Sequence, residues 1–250
     1  MIPNRHEQIL EYLKSHNIAT VDDLVAFTGA SPATIRRDLI KLDEEGKVYR
    51  VHGSVTLNNA VRQPLTSEKV RLNHEEKIRI AAEAARLISP GDSLALDAGT
   101  TTIELARNIA ELPLKIITSD LNIGLLLSSH RNITTVLTGG TIDYSSQSCI
   151  GDIAVGLFNK VHPKYVFISC NAWDLKFGVT APTAEKAHLK SQLLSVGATT
   201  VLLADSSKYG QSQLFDVGQL DTIDIIITDN GLEKEAAQNI REAGIKLILV

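Results

Sequence analysis

At 250 residues and 27.1 kDa the chain can hold one or two domains of about 100 to 200 residues each, and its 44 % hydrophobic and 22 % charged content is that of a soluble globular protein, not a disordered or fibrous one. A net charge of −4 and a pI near 6.0 rule out a broadly basic surface, so any nucleic-acid contact has to rest on locally placed cations. The first twenty residues carry Arg5, His6, Glu7, Glu11, Lys14 and His16, and no run approaches the roughly 18 apolar residues of a membrane span, which gives the expectation of a cytoplasmic protein with no membrane partner.

The N-terminal segment reads as three helices and a hairpin. From Asn4 to about His16, Ile9, Leu10 and Leu13 mark one apolar face. Thr20 opens a second helix with Asp23 three residues on, the spacing of a capping box. Val21, Leu24, Val25 and Phe27 supply its buried side, and Gly29 closes it. In "GASPATIRRDLIKL" Ser31 is a good N-cap and Pro32 falls at the first helical position, where no amide hydrogen is missed. Ile35, Leu39 and Leu42 then form one buried stripe, while Thr34, Arg37 and Lys41 fall on the other side. Short residues Ser31, Ala33 and Thr34 near the N-terminus, with Arg36 and Arg37 behind them, give the profile of a helix that enters a groove. The connection between the second and third helices is short and contains a glycine, as a helix-turn-helix requires. "KVYRV" and "VTL" around "HGS" read as a β-hairpin wing carrying Arg50 and His52. Residues 1–56 hold seven Lys/Arg against eight Asp/Glu, so DNA contact depends on where these cations lie and not on their sum.

Residues 58–72, with Pro64 and no sustained period, read as a linker between a 1–57 domain and a 73–250 domain. Asn73 and Glu76 suggest a capped helix start, followed by Ile78, Ala81, Ala82, Ala85 and Ile88 at helical spacing. "SLALD", "KIITS", "TTVLT", "YVFISC", "TTVLLA", "IDIIIT" and "KLILV" then alternate with helical segments, the pattern of a mainly parallel sheet covered on both faces. The second domain is therefore expected to be α/β.

Ligands of open α/β sheets sit beyond the carboxyl ends of the strands. Asp97 stands there, followed by Gly99 and by Thr100, Thr101 and Thr102 before a helix, a set suited to a phosphate and equally to a plain strand-to-helix turn. Gly139 and Gly140 in "LTGGT" repeat that logic or form a tight turn. Asp205, two serines and Lys208 in "LLADSSKYG" suit sugar hydroxyls and a phosphate, or a capped loop with a solvent-facing lysine. Glu185 and Lys190 point to the same site or belong to a charged surface helix. The seven histidines are scattered and Cys149 and Cys170 lack metal-ligand spacing, so no metal or cofactor is expected. No nucleophile elbow is present, although Asp97, Glu185 and Lys208 leave acid–base work on a sugar phosphate open.

"SPATIRRDLIKLDEEGKVYRVHGS" resembles the recognition helix and wing of the DeoR family of bacterial transcriptional regulators, and "LDAGTTT", "TGGT", "IGD" and "ADSSKYG" resemble that family's sensor-domain motifs in order and spacing. The resemblance covers essentially the whole chain. It implies a winged helix-turn-helix domain followed by a Rossmann-like α/β domain similar to ribose-5-phosphate isomerases. It also implies a regulator, usually a repressor of a sugar or polyol operon, that binds double-stranded operator DNA and a phosphorylated sugar or related metabolite. DNA-contacting positions carried over are Thr20, Ser31, Ala33, Thr34, Arg36, Arg37, Lys41, Arg50, His52 and Gly53; effector-contacting positions are those named above together with Ser119. The family wing usually reads His-Gly-Gly where this chain has Ser54 in the third place, and Thr118-Ser119-Asp120 stands where Thr-Asn is common.

The contrasting reading is a sugar-phosphate isomerase with an appended helical domain, which leaves "SPATIRRDL" without work. A ligand that moves a population from 99:1 to 1:99 must bind the two states with about 5.5 kcal/mol of difference. Two or four coupled sites supply that more readily than one, so a homo-oligomer is expected, and a two-fold dimer matches a palindromic operator.

Overall fold

The computed structural model describes residues 5–16, 18–45, 47–51, 54–57, 66–196 and 199–250. The N-terminal part comprises α1 (Arg5–His16), β1 (Ile18–Thr20), α2 (Val21–Thr28), α3 (Pro32–Glu44), β2 (Val48–Val51) and β3 (Ser54–Leu57). Local chemistry sets its boundaries. The Thr20 hydroxyl accepts from the Asp23 amide while the Asp23 carboxylate accepts from the Thr20 amide, closing the capping box. Gly29, at φ +70°, ends α2 in the left-handed conformation that side chains disfavour. Ser31 accepts from the Thr34 amide with Pro32 at the first position of α3.

Ile9, Leu13, Leu24, Ile35, Leu39 and Leu42 pack with Val48 and Val55 into one core. Phe27, expected on the buried side, is exposed: Leu24 takes the core position, and Phe27 lies at the rim with its ring 4.7 Å from that of Tyr12. The wing has three strands where two were expected, because β1 pairs antiparallel with β3 and β3 with β2. Three residues are too few for β1 to show an alternation in sequence. His52 and Gly53, between β2 and β3, lie outside the described residues.

The remaining elements are α4 (Thr66–Lys69), α5 (His74–Ala85), β4 (Ser93–Leu96), α6 (Thr100–Ile109), β5 (Leu114–Thr118), α7 (Leu121–Leu127), β6 (Ile133–Leu137), β7 (Thr141–Asp143), β8 (Ser148–Ile150), α8 (Asp152–Phe158), β9 (Tyr165–Ser169), β10 (Ala172–Asp174), β11 (Gly178–Ala181), α9 (Ala184–Leu194), β12 (Thr199–Leu203), β13 (Phe215–Gly218), β14 (Ile225–Thr228), α10 (Lys234–Glu242) and β15 (Lys246–Leu249). The seven apolar runs of the sequence are the seven strands of one parallel sheet, ordered β15-β14-β12-β9-β4-β5-β6. Successive side chains of a strand enter opposite layers. Leu94 and Leu96 join the cluster under α5, α6 and α7, whereas Ala95 joins the one under α8, α9 and α10. A β7–β8 hairpin and an antiparallel β10-β11-β13 sheet are added outside the main sheet. Among the described residues no helix is long and apolar enough to cross a membrane.

Helix α5 departs from the expected phase. Its buried stripe is Lys77, Ile80, Ala81 and Ala84, while Ile78 faces solvent. A run rich in alanine leaves the phase loosely specified, and Lys77 is tolerated inside because its ammonium donates to the Lys69 and Leu72 carbonyl oxygens. Asn73 makes no side-chain cap. Its amide points across to Asp205 and Ser207 instead, at 2.8 and 2.9 Å.

Candidate functional site

The sequence nominated two regions. In the first, α3 presents Ser31, Ala33, Arg36, Arg37 and Lys41 to solvent, with Thr34 half-buried, and β2 exposes Arg50. Neither Arg36 nor Arg37 has a hydrogen-bond or ion-pair partner among the described residues, so both guanidinium groups are available to an outside acceptor. Behind them Asp38 faces inward. It accepts from Arg5 and lies 3.2 Å from His6 Nε2, tying α1 to the back of α3. The Arg5 hydrogen bond, with help from His6, holds this carboxyl below the usual carboxylate range although burial acts in the opposite sense. Thr20 is exposed and its hydroxyl is engaged in the capping box.

The second region lies over the carboxyl ends of β4, β9 and β12. A cavity opens there in two lobes of about 60 and 270 Å³ that share Lys69, Thr100, Asn171 and Lys208. Gly99 precedes α6, and a methyl group at its α-carbon would meet Ser169 Oγ at 2.2 Å, so the bare backbone is what keeps this wall open. Thr100 and Thr101 line the smaller lobe at the helix N-terminus, and the buried Thr101 hydroxyl has no partner among the described residues. Thr102 instead caps locally, donating to the Asp97 and Gly99 carbonyl oxygens at 2.8 and 2.7 Å.

Lysines dominate the lining. Lys190 donates to Asp97 and, at 2.8 Å, to the Ser169 carbonyl oxygen; Asp97 also accepts from the Ser169 amide and hydroxyl. Lys186 pairs with Asp143 at 2.8 Å. Burial pushes the Lys186 ammonium down; the Asp143 carboxyl, which burial alone would raise, is held well below its usual range by Lys186, Ser146 and Ser145. Lys208 sits 3.2 Å from Asp205. Burial would raise that carboxyl too, but Lys208, Ser207 and Asn73 keep it low. Lys69 and Lys77 have no carboxylate partner among the described residues: Lys69 donates to Asn171 at 3.2 Å and Lys77 to carbonyl oxygens. Burial first, and then neighbouring lysines, push both down to about 8. Five lysines against three aspartates leave two cations without a carboxylate, a cavity suited to an anion and to hydroxyl groups beside it.

Of the nominated positions, Gly99, Thr100, Thr101, Lys190, Asp205 and Lys208 line the two lobes, while the buried Asp97 lines neither and reaches the cavity through Lys190. Gly139 and Gly140 form the turn between β6 and β7 at φ +73° and +113° and line none of the lobes. Ser119 is buried after β5, and Glu185 is exposed on the first turn of α9; neither lines a lobe. Lys69, Asn73, Lys77, Asn171 and Lys186 were not singled out from sequence. The only signal for Lys77 was its place in the stripe of α5, opposite in polarity to its neighbours.

Comparison with known proteins follows the same division of the chain. Residues 5–61 match the family described as the DeoR-like helix-turn-helix domain, and residues 72–230 match the DeoR C terminal sensor domain. An uncharacterized HTH-type transcriptional regulator of Haemophilus influenzae is 35 % identical over 253 aligned residues, covering 100 % of this chain and 98 % of its own. The HTH-type transcriptional regulator GlpR of Haloferax volcanii is 31 % identical, covering 99 % of this chain and 98 % of its own. Among solved structures, ribose 5-phosphate isomerase A from Methanocaldococcus jannaschii aligns over 55 % of each chain with 16 % identity and a TM-score of 0.41.

Proposed function

Because the chain belongs to the DeoR family of DNA-binding transcriptional regulators, not to a family of enzymes, we propose that it represses an operon for the use of a sugar or polyol, under the control of a phosphorylated sugar held in the lysine-lined cavity. The observation that carries the effector half is the pair Lys69 and Lys77, two buried cations without carboxylates beside the open N-terminus of α6. A phosphate monoester brings close to two negative charges near neutral pH. Hydroxyl groups of the same ligand find an acceptor in Asp205 and donors in Asn73 and Asn171. On the DNA side, Arg36, Arg37 and Lys41 enter the major groove with Ser31, Ala33 and Thr34 leading, and Arg50 on β2 follows the backbone. The working species is a homo-oligomer, since one ligand site rarely supplies the whole of a two-state switch.

Fluorescence anisotropy of labelled DNA from upstream of the protein's own operon, at two salt concentrations and with a panel of sugar phosphates, tests this reading. Salt-sensitive, sequence-selective binding that one compound modulates is expected. No binding at low salt, with or without every compound, overturns it.

A further inference from the structure

Residues 121–151 are short of charge. Over these thirty-one positions only Arg131 and Asp143 are Lys, Arg, Asp or Glu, in a chain that is 22 % charged, and Asp143 is turned inward to Lys186. The same stretch and the start of α8 nevertheless present large apolar side chains to the outside: Leu125 on α7 is 75 % exposed, Val136 and Leu137 on β6 are exposed, as are Ile142 on β7, Tyr144 at 81 %, and Ile153 on α8. They flank the end of β6 from the two layers of the sheet. A methyl group on Gly124 would sit 3.4 Å from Leu137 Cδ1 and one on Gly139 3.9 Å from Ile153 Cγ2, which places α7 on one side of β6 and α8 on the other, against its edge. A groove of about 300 Å³ runs along it between α7 and β6, lined by Leu127, Ile133 and Leu137.

Strand β6 is also the last strand of the seven-stranded sheet, so among the described residues its outer backbone edge meets no other strand of that sheet. Edges left to water are normally guarded by lysine, proline or a bulge. The sequence of β6, Ile-Thr-Thr-Val-Leu, has none of these.

We propose that this face, from α7 across the β6 edge to β7 and α8, is the two-fold interface between copies of the chain. Three observations select a second copy over another occupant. The six side chains expose on the order of 600 Å², at the top of what monomers leave in one patch and close to the roughly 800 Å² that each partner contributes to a standard interface. The face carries little charge, with Arg131 and Asp152 of opposite sign at its margins, so it meets its like without strong repulsion, whereas a nucleic acid would find no cationic complement. A free strand edge is self-complementary in an antiparallel, isologous pairing. The assignment rests on the homo-oligomeric reading given above, and it adds a consequence: Ile142 and Tyr144 flank Asp143, so the hairpin that meets the partner is the one whose inner side holds Lys186 at the cavity.

Sedimentation equilibrium of the full chain, at micromolar concentration, tests the assignment with I142D and I153D made singly, and I78D as an exposed apolar control outside the face and the cavity. Wild type and I78D are expected to be dimers or larger, and the two face variants to associate at least tenfold more weakly, with melting curves and sugar-phosphate binding retained to show that they are folded. A monomeric wild type overturns the homo-oligomeric reading itself and leaves the face to a different partner. An oligomeric wild type whose size neither I142D nor I153D changes overturns only the assignment of this face.

Discussion

Affinity for a phosphorylated sugar should fall steeply as pH rises from 7 to 9. Lys69 and Lys77 stand at about 8 in the free protein, pushed down by burial and by neighbouring lysines. At pH 7 such a group is roughly nine-tenths charged and at pH 9 roughly one-tenth. Each lysine that must be protonated to hold the phosphate therefore costs about tenfold, or about 1.4 kcal/mol, across that interval. With both engaged, binding should weaken up to about a hundredfold and take up protons. Below about pH 6 it should weaken again as the phosphate loses its second charge, so the optimum lies between. The ligand-free protein should show the opposite trend. An unfolded lysine holds its proton to about 10.4, so between 8 and that value the unfolded chain binds more protons than the folded one, and stability rises with pH. Isothermal titration in buffers of different ionisation enthalpy reads the proton uptake, and thermal melts from pH 8 to 10 read the stability. Lys69→Met should lower the slope of log affinity against pH by about one proton while leaving the fold intact. An affinity flat from pH 7 to 9, or a slope identical in Lys69→Met, would refute the placement of the phosphate at these lysines.

The DNA-facing residues should separate by role. A guanidinium reading guanine gives about 1–3 kcal/mol of discrimination, so Arg36→Ala or Arg37→Ala should relax operator preference at one base pair, whereas a phosphate contact should lower affinity for all sequences and flatten its salt dependence; competition assays against a randomised site show which, and uniform loss in both variants removes direct readout by this pair. Gly99→Ala should cost about 1–3 kcal/mol by overpacking and abolish effector binding, because the new methyl meets Ser169 Oγ at 2.2 Å while Asp97 and Ala98 hold that hydroxyl in place; wild-type behaviour in melting and titration would mean that Ser169 swings aside freely. Asp38→Asn should destabilise the helical N-terminal core by about 1–2 kcal/mol, seen in calorimetry as an earlier transition. Since the Asp38 carboxyl is held low in the folded state, its contribution is fully present above the ordinary carboxylate range and is lost as pH falls through the lowered value, so the wild type and Asp38→Asn should converge in acid.

Legibility in the sequence followed the length and regularity of the pattern. Seven apolar runs of four to six residues became the seven parallel strands because the inner ones are buried on both faces and need no alternation to be recognised, while the edge strands β6 and β15 keep the same apolar composition. Caps at Thr20, Ser31 and Gly29 were readable because their chemistry is confined to three or four neighbouring residues. Strands β1, β7 and β10 were missed because three residues carry no period. The cavity was half legible for a related reason. Asp97, Gly99 and Lys208 advertise themselves beside strand ends, but Lys69, Asn73 and Lys77 reach the site from helices whose only local signal is helical spacing, and nothing short-range says that Asn73 meets Asp205 across more than a hundred residues. Glu185 shows the converse, a polar residue in a suggestive stretch that the helix phase turns outward.

The arrangement also bears on how a small ligand can move a distant helix. An effector changes operator affinity only by binding two states of the protein unequally, so the elements it touches have to lead somewhere. Lys69 belongs to α4, the first described element after residues 58–65, which in sequence connect to the DNA-reading part. The Thr66 amide at the start of α4 donates to the Ser145 carbonyl oxygen at 3.1 Å, and Ser145 lies in the β7–β8 hairpin that carries Asp143 on its inner side and Ile142 and Tyr144 on its outer side. The cavity, the chain leading to α3 and the apolar face are thus joined through one hairpin and one short helix. Neutralising Lys69 and displacing Asp143 from Lys186 would act on both at once. Two copies facing each other across that hairpin would add their differential binding energies, which lowers the share of the roughly 5.5 kcal/mol that each site has to supply. I142D should therefore bind the sugar phosphate with its normal stoichiometry and yet lose the ligand's effect on operator affinity. Titrating operator DNA against I142D with and without the ligand decides it, since an undiminished ligand effect in the dissociated variant would mean that each copy switches alone.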